Sequence, residues 1–239
     1  MDEQVVIDSR FSGPPQAANG GYACGTVARL LGDGDAEVTL WRPLHLDVPL
    51  LVTRPGADRV ELRDDDALAA EGVARPAAVP VPPPVDLGRA ERARAGYRGF
   101  LPGGTYPYCF VCGPAREDGL RIFAGPVAGT DLVAAPWVPE PSVTGPDGTV
   151  PAEIVWASLD CPSFFAAAEP GVVALLGRMA AHLEAEVVGG RPHVVVARRV
   201  SGEGRKRIGA SAVYTAAGEL CAAAVATWIT IGEGGFPSP

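Results

Sequence analysis

Two sets of residues in this 239-residue chain could do chemistry, and they lie far apart in sequence. Near the start, Asn19-Gly20-Gly21-Tyr22 opens an apolar segment at helical spacing that runs to Leu31. A glycine pair at a helix N-terminus offers backbone N–H donors to a negative oxygen, and the helix dipole reinforces them. Asn19 is a favoured N-cap residue, and Gly20 and Gly21 carry no side chain to block a close approach. Far downstream, Asp160 stands in or beside a second apolar segment, 150–168. A carboxylate there can take a proton from water or attack a carbonyl carbon. Asp160 also has a purely structural reading. It precedes Cys161-Pro162-Ser163, and Asp ahead of a first-turn proline is a good helix cap. Pro162 counts against a continuous helix through this segment, since an interior proline costs about 3 kcal/mol.

Other reactive side chains have weaker patterns. Cys109 and Cys112 have the spacing of a zinc or redox pair, but no second Cys pair or His pair follows, so packing is the plainer reading. Asp64-Asp65-Asp66 could hold a cation, although a solvated hairpin loop explains it without further ligands. The histidines are His45, His182 and His193. The Gly-x-Ser-x-Gly elbow of a serine hydrolase does not occur.

Composition narrows the class. Hydrophobic residues make up 47% of the chain, ample for a core. A net charge of -8 disfavours a nucleic-acid partner, which asks for a basic face. No apolar run reaches the roughly 18–20 residues that span a bilayer. Met1-Asp2-Glu3-Gln4 is acidic, unlike the basic start of a signal peptide. Five cysteines, an odd count, argue against a disulfide framework and for a reduced, cytoplasmic protein.

The elements that must position Asn19-Gly20-Gly21 and Asp160 come twice. In the first part, a helix over 20–31 is followed by alternating segments at 36–54, 59–63 and 67–74, with Pro43 and Pro49 interrupting the first. Residues 79–85, with four prolines, read as a stiff linker, and 86–98 as a short exposed helix. In the second part, 120–127 and 130–138 read as strands and 150–168 as helical. Residues 172–188 read as a further helix, with Leu175, Leu176, Met179, Leu183 and Val187 on one face and His182 near it. Strands follow at 193–200, 208–215 and 220–231, the last two joined by a turn near Gly218. The first copy has the glycine pair and no acid in its helix; the second has Asp160 and no glycine pair. Half a site in each copy predicts one shared site at the seam, and two copies in one chain behave as a fused homodimer free to diverge.

Cys109-Phe110-Val111-Cys112-Gly113-Pro114 followed by Asp118-Gly119-Leu120 resembles the Cys-Phe-x-Cys-Gly opening of phenylacetate-type thioesterases. The segment from Gly204-Arg205-Lys206-Arg207 through Trp228 is similar to the closing hairpin of the same group, and Asn19-Gly20-Gly21 to its Gly-Gly helix start. The chain thus resembles the hotdog-fold acyl-CoA thioesterase superfamily in its fused double-hotdog form. Asn19 stands where that family often has His, Arg116 where Asn is usual, and Pro151-Ala152-Glu153 in place of the second His-Gly-Gly.

The resemblance implies an α+β chain of two tandem hotdog units, each a curved antiparallel sheet around a central helix, forming a pseudo-dimer. The expected boundaries are 1–78 for the first unit, 79–105 for the linker and short helix, and 106–239 for the second. It implies hydrolysis of an acyl-CoA or other acyl thioester, without a cofactor or metal. Asp160 acts as base or nucleophile, and the Asn19-Gly20-Gly21 amides stabilise the oxyanion. Asp160 falls where the family carries its helix carboxylate, and the equivalent count in the first copy lands on Ala28. The mirror site, Pro151-Ala152-Glu153 with Ala28, should therefore be dead. Arg205, Lys206 and Arg207 could meet CoA phosphates, or simply form a solvated hairpin loop. Two alternatives stand beside hydrolysis: a binding protein for acyl-CoA or another small hydrophobic ligand, and a hotdog hydratase or dehydratase. The second is disfavoured because Pro151 replaces the candidate His. The acyl group and any further pairing into a homodimer of pseudo-dimers stay open.

Overall fold

The computed structural model describes residues 3–32, 34–101 and 106–232. Met1 and Asp2 of the acidic start, and the last residues of the linker, 102–105, lie outside them. The order is β1 (Gln4–Val6), α1 (Gly20–Leu31), β2 (Ala36–Leu40), β3 (Pro49–Gly56), β4 (Arg59–Asp64), β5 (Ala67–Ala74), α2 (Leu87–Arg94), β6 (Gly125–Pro126), β7 (Leu132–Trp137), α3 (Ala152–Ala167), β8 (Ala174–Leu183), β9 (His193–Glu203), β10 (Lys206–Thr215) and β11 (Leu220–Thr230).

All these strands join one antiparallel sheet of 11 strands in the order β1-β3-β4-β5-β2-β8-β11-β10-β9-β7-β6. The order repeats a theme. In the first part a strand, a helix and four strands assemble as β1-β3-β4-β5-β2 around α1. In the second, β7, α3 and four strands assemble as β7-β9-β10-β11-β8 around α3, with β6 as an extra edge. The two parts meet where β2 pairs β8, with Ala36 opposite Ala181 and Val38 opposite Met179.

α1 and α3 pack against each other and run antiparallel, since Gly21 approaches Asp160 while Gly25 approaches Glu153. Their contact is possible only because those α1 positions lack a Cβ: a methyl at Gly25 would sit 2.5 Å from Glu153 Cα. α3 is buried from Ile154 to Phe164, as a helix apolar on all sides must be. It presses on β10 so closely that a Cβ at Gly209 would lie 2.2 Å from Ser163 O.

The structure corrects four expectations. Residues 172–188 are not a helix, because β8 runs through Ala174–Leu183. β8 is an interior strand flanked by β2 and β11, buried enough on both faces to blur alternation, and a register shift opposite Gly177 removes what remains. His182 therefore sits near a strand end, its Nδ1 2.6 Å from Asp35 Oδ1 and its Nε2 3.2 Å from Glu184 Oε2. Second, only Gly125–Pro126 of the segment 120–127 is strand. Leu120 and Ile122 are buried, but their N–H groups donate to Phe110 O and Val111 O in the cysteine loop.

Third, the short helix is not simply exposed. α2 buries Ala90 and Ala93 against Val127, Leu132 and Val196 on the outer face of the sheet, and the proline stretch crosses that face with Tyr214 donating to Pro82 O. Fourth, α3 passes through Pro162, and Asp160 lies in its middle and not at its cap, which is Pro151. Side-chain bonds tie the helix down around the proline. The Ser211 hydroxyl on β10 donates to Leu159 O at 2.7 Å and Trp228 Nε1 on β11 to Ser163 Oγ at 2.9 Å, while within α3 the Ser163 hydroxyl donates to Asp160 O at 2.7 Å. The acidic triplet is a hairpin turn in which the Asp64 carboxylate meets His45.

Candidate active site

α1 starts where the turn at Ser12-Gly13 folds back on it. Asn19 N–H donates to Phe11 O at 2.7 Å, which leaves the Asn19 side chain buried at the helix cap. That side chain works in two directions. Its Oδ1 accepts the Tyr22 N–H at 2.9 Å, capping the helix, and its Nδ2 donates to Asp160 Oδ2 at 2.8 Å. The same oxygen accepts the Gly21 N–H at 3.0 Å. Only glycine fits there, since a Cβ at Gly21 would lie 2.5 Å from Asp160 Cβ and 2.8 Å from Trp156 O. Asn19, Gly20, Gly21 and Asp160, 139 residues apart at the Gly21–Asp160 contact, thus come together at one helix end.

Asp160 is 1% exposed. Burial, opposed by the Gly21 N–H and the Asn19 amide, pushes its carboxyl up to about 7, with the neighbouring Cys109 adding to the rise. A carboxyl titrating near neutrality can both take and return a proton in neutral water. Oδ2 is held by two donors, whereas Oδ1 is buried with no hydrogen-bond partner among the described residues. Asp160 lines a cavity of about 360 Å³, together with Asn19 and Gly20 on one wall and Leu44, Leu176 and Trp228 around it. Its apolar lining with a few convergent polar groups has the character of a small-molecule site.

The two glycine amides are not equivalent. Gly21 N–H is spent on Asp160, while among the described residues Gly20 N–H meets no acceptor, and Gly20 lines the cavity. The sequence suggests two oxyanion donors; the geometry leaves Gly20. The basic triplet also divides. Arg205 lines the cavity, as does Arg42. Arg207 Nε lies 2.8 Å from Glu169 Oε2, and Lys206 is exposed at the start of β10.

The equivalent end of the helix pair is different. Pro151 caps α3 without a side-chain hydrogen bond, Ala28 is buried, and Glu153 pairs with Arg29 at 2.9 Å. Sequence reasoning missed Cys161. Its Sγ lies 3.7 Å from that of Cys109, and both line the cavity. The only available signal was its place beside Asp160; nothing in the spacing 109–161 announces the contact.

No protein-family profile matches the chain, and no curated protein matches it. Solved structures do match over nearly its whole length. It is similar to the tesB protein of Mycobacterium avium subs paratuberculosis, at 14% identity over 92% of this chain and 90% of that one, with a TM-score of 0.59. It is similar to the acyl-CoA thioesterase II TesB2 of Mycobacterium marinum, at 13% identity over 91% and 92%, with a TM-score of 0.57. A conserved protein of unknown function with a hot dog fold from Alicyclobacillus acidocaldarius matches at 13% identity over 96% and 92%, with a TM-score of 0.55. At these identities the likeness is one of fold: the chain has the hotdog fold found in thioesterase structures.

Proposed function

We propose that the chain is a tandem pair of hotdog units, within 1–78 and 106–239, that hydrolyses an acyl thioester, an acyl-CoA in the first instance, at one composite site. The observation that carries this reading is the Asp160 carboxylate, buried at a cavity wall and held by the Asn19 amide and the Gly21 N–H from the opposite half.

In this reading Asn19 and Gly21 fix Asp160 Oδ2, so Oδ1 takes the proton of a water molecule. The water oxygen attacks the thioester carbonyl carbon, and the carbonyl oxygen gains charge beside the Gly20 N–H and the α1 N-terminus. The tetrahedral intermediate collapses with cleavage of the C–S bond, and the proton held by Asp160 passes to the departing thiolate. Arg42 and Arg205 supply positive charge beside the cavity for the phosphates of a CoA carrier. The apolar walls take the acyl group.

One observation favours a second reading, that of a binding protein without turnover. Gly21 N–H is committed to the carboxylate, which leaves a single helix amide for an oxyanion. Thiol release from a panel of acyl-CoAs, run beside calorimetric titration of the same compounds, separates the two. The hydrolase reading expects thiol release that Asp160→Asn abolishes without loss of binding. Unchanged turnover in Asp160→Asn removes Asp160 from the chemistry, and binding with no thiol release supports the binding protein.

A further inference from the structure

Three of the five cysteines converge on one point although the sequence scatters them. Cys109 and Cys112 come from the loop ahead of β6, and Cys161 from the middle of α3. All three are buried and reduced, and their Sγ atoms lie within 4.8 Å of one another. In a tetrahedral ion with metal–sulfur bonds of about 2.3 Å, sulfur atoms stand about 3.8 Å apart. The Cys109–Cys161 separation is 3.7 Å.

The loop and α3 bring the sulfur atoms to a shared side-chain donor. The Asn19 amide approaches Cys109 Sγ at 3.8 Å and Cys161 Sγ at 3.9 Å. A donor at this place favours sulfur in its charged, metal-binding form. Glycine is required just after Cys112, because a Cβ at Gly113 would lie 2.5 Å from both Cys109 N and Pro107 O. The Gly113 N–H closes the turn on Cys109 O at 2.8 Å, and Tyr97 OH pins the loop by donating to Cys112 O at 2.8 Å. Simple packing of three small apolar residues would need neither the Asn19 amide donor nor the constrained turn.

We propose that Cys109, Cys112 and Cys161 bind one divalent ion of the zinc class. Binding forms three metal–sulfur bonds and releases up to three thiol protons to solvent. The fourth position of the ion falls to water or to a small ligand from the cavity, which Cys109 and Cys161 both line. Soft thiolate donors select zinc over magnesium or calcium. The ion would tie the cysteine loop to α3 beside Asp160. The site stands on its own geometry, whether or not the chain hydrolyses thioesters.

Cobalt(II) titration of the reduced, chelator-stripped full chain tests it directly. The expected result is one equivalent taken up with an intense sulfur-to-cobalt charge-transfer band, displaced by zinc. Cys161→Ser weakens the band and the affinity at least tenfold, whereas Cys24→Ser, a buried cysteine outside the cluster, leaves both unchanged. Should Cys161→Ser fail to fold, X-ray absorption on the zinc-loaded wild-type chain replaces it and should show three sulfur neighbours near the distance above. No stoichiometric uptake, fewer than three sulfur neighbours, an unaltered band in Cys161→Ser, or a Cys109–Cys161 disulfide in place of metal would each overturn the proposal.

Discussion

The two ends of the α1–α3 pair are built on the same topology and differ in the cap residue and in the place of the acid. At one end Asn19 caps α1 and, with Gly21, holds Asp160 at a cavity wall. At the other, Pro151 caps α3 with no side-chain bond, Ala28 fills the place of the acid, and Glu153 turns outward to Arg29, which is half-exposed. Both ends keep the close helix approach, through Gly21 in one case and Gly25 in the other. The repeated fold is thus preserved by small residues at the helix contact. A chemical site depends in addition on one buried acid and one amide-bearing cap, and only one end has them.

The largest expected effect breaks this difference at its centre. Asp160→Asn keeps the shape, because the new amide oxygen can still accept from Gly21 and Asn19, but it removes the proton acceptor. Thiol release should fall by roughly 10²–10⁴-fold. The acid-to-amide change at the other end, Glu153→Gln, should leave turnover within about twofold, since Glu153 does not line the cavity at Asp160. Equal losses from the two changes, measured as kcat/KM on one acyl-CoA, would end the assignment of the chemistry to one end.

The glycines sharpen the comparison. Gly21→Ala and Gly25→Ala both force a methyl against α3, at 2.5 Å from Asp160 Cβ and from Glu153 Cα respectively. Overpacking of this kind costs about 1–3 kcal/mol, so both variants should unfold at lower urea. Only Gly21→Ala also displaces the carboxylate, so it should lose activity beyond its loss of stability. Parallel loss of activity in both variants would mean that the helix contact, not the site, is what the methyl disturbs.

Much of the first half was legible in sequence because its signals are local. Asn19 followed by two glycines marks a helix start by capping chemistry alone, and Pro43 and Pro49 punctuate the strands where they should. Asp160 could be set opposite the glycines only through the repeat together with the family resemblance, which implies a helix carboxylate at that count from the helix start. What could not be read is what depends on tertiary surroundings. The pattern over 172–188 predicts a helix where β8 runs, because an interior strand buried on both faces loses its alternation. Around Pro162 the helix is tied to the sheet by Ser211 on β10 and Trp228 on β11, contacts that no local pattern encodes. For the same reason Cys161 was invisible as a partner of Cys109, and so was the commitment of Gly21 N–H to the carboxylate.

Asn19→Ala should have an intermediate effect with two separable parts. Loss of the cap to Tyr22 N–H costs about 1 kcal/mol, read as a lower urea midpoint. Loss of the Nδ2 donor leaves Asp160 Oδ2 with Gly21 alone, and turnover should fall by more than that stability loss accounts for. Asn19→Ser retains a capping oxygen but cannot reach as the amide does, so it should recover stability and not activity. Recovery of both would reduce Asn19 to a cap.

The smallest expected effect lies at the silent end. The Arg29–Glu153 pair is 2.9 Å long, but the Arg29 side chain is 53% exposed, so solvent screens the attraction. A double-mutant cycle with Arg29→Ala and Glu153→Ala should give a coupling of about 0.2–1 kcal/mol that shrinks with added salt. The equivalent cycle with Asn19→Ala and Asp160→Ala joins two buried groups through a charge-assisted hydrogen bond. Its coupling in stability should be larger and nearly independent of salt. If the Arg29–Glu153 coupling proved the larger and resisted salt, the polar cluster at Asp160 would no longer be the feature that sets one helix end apart from the other.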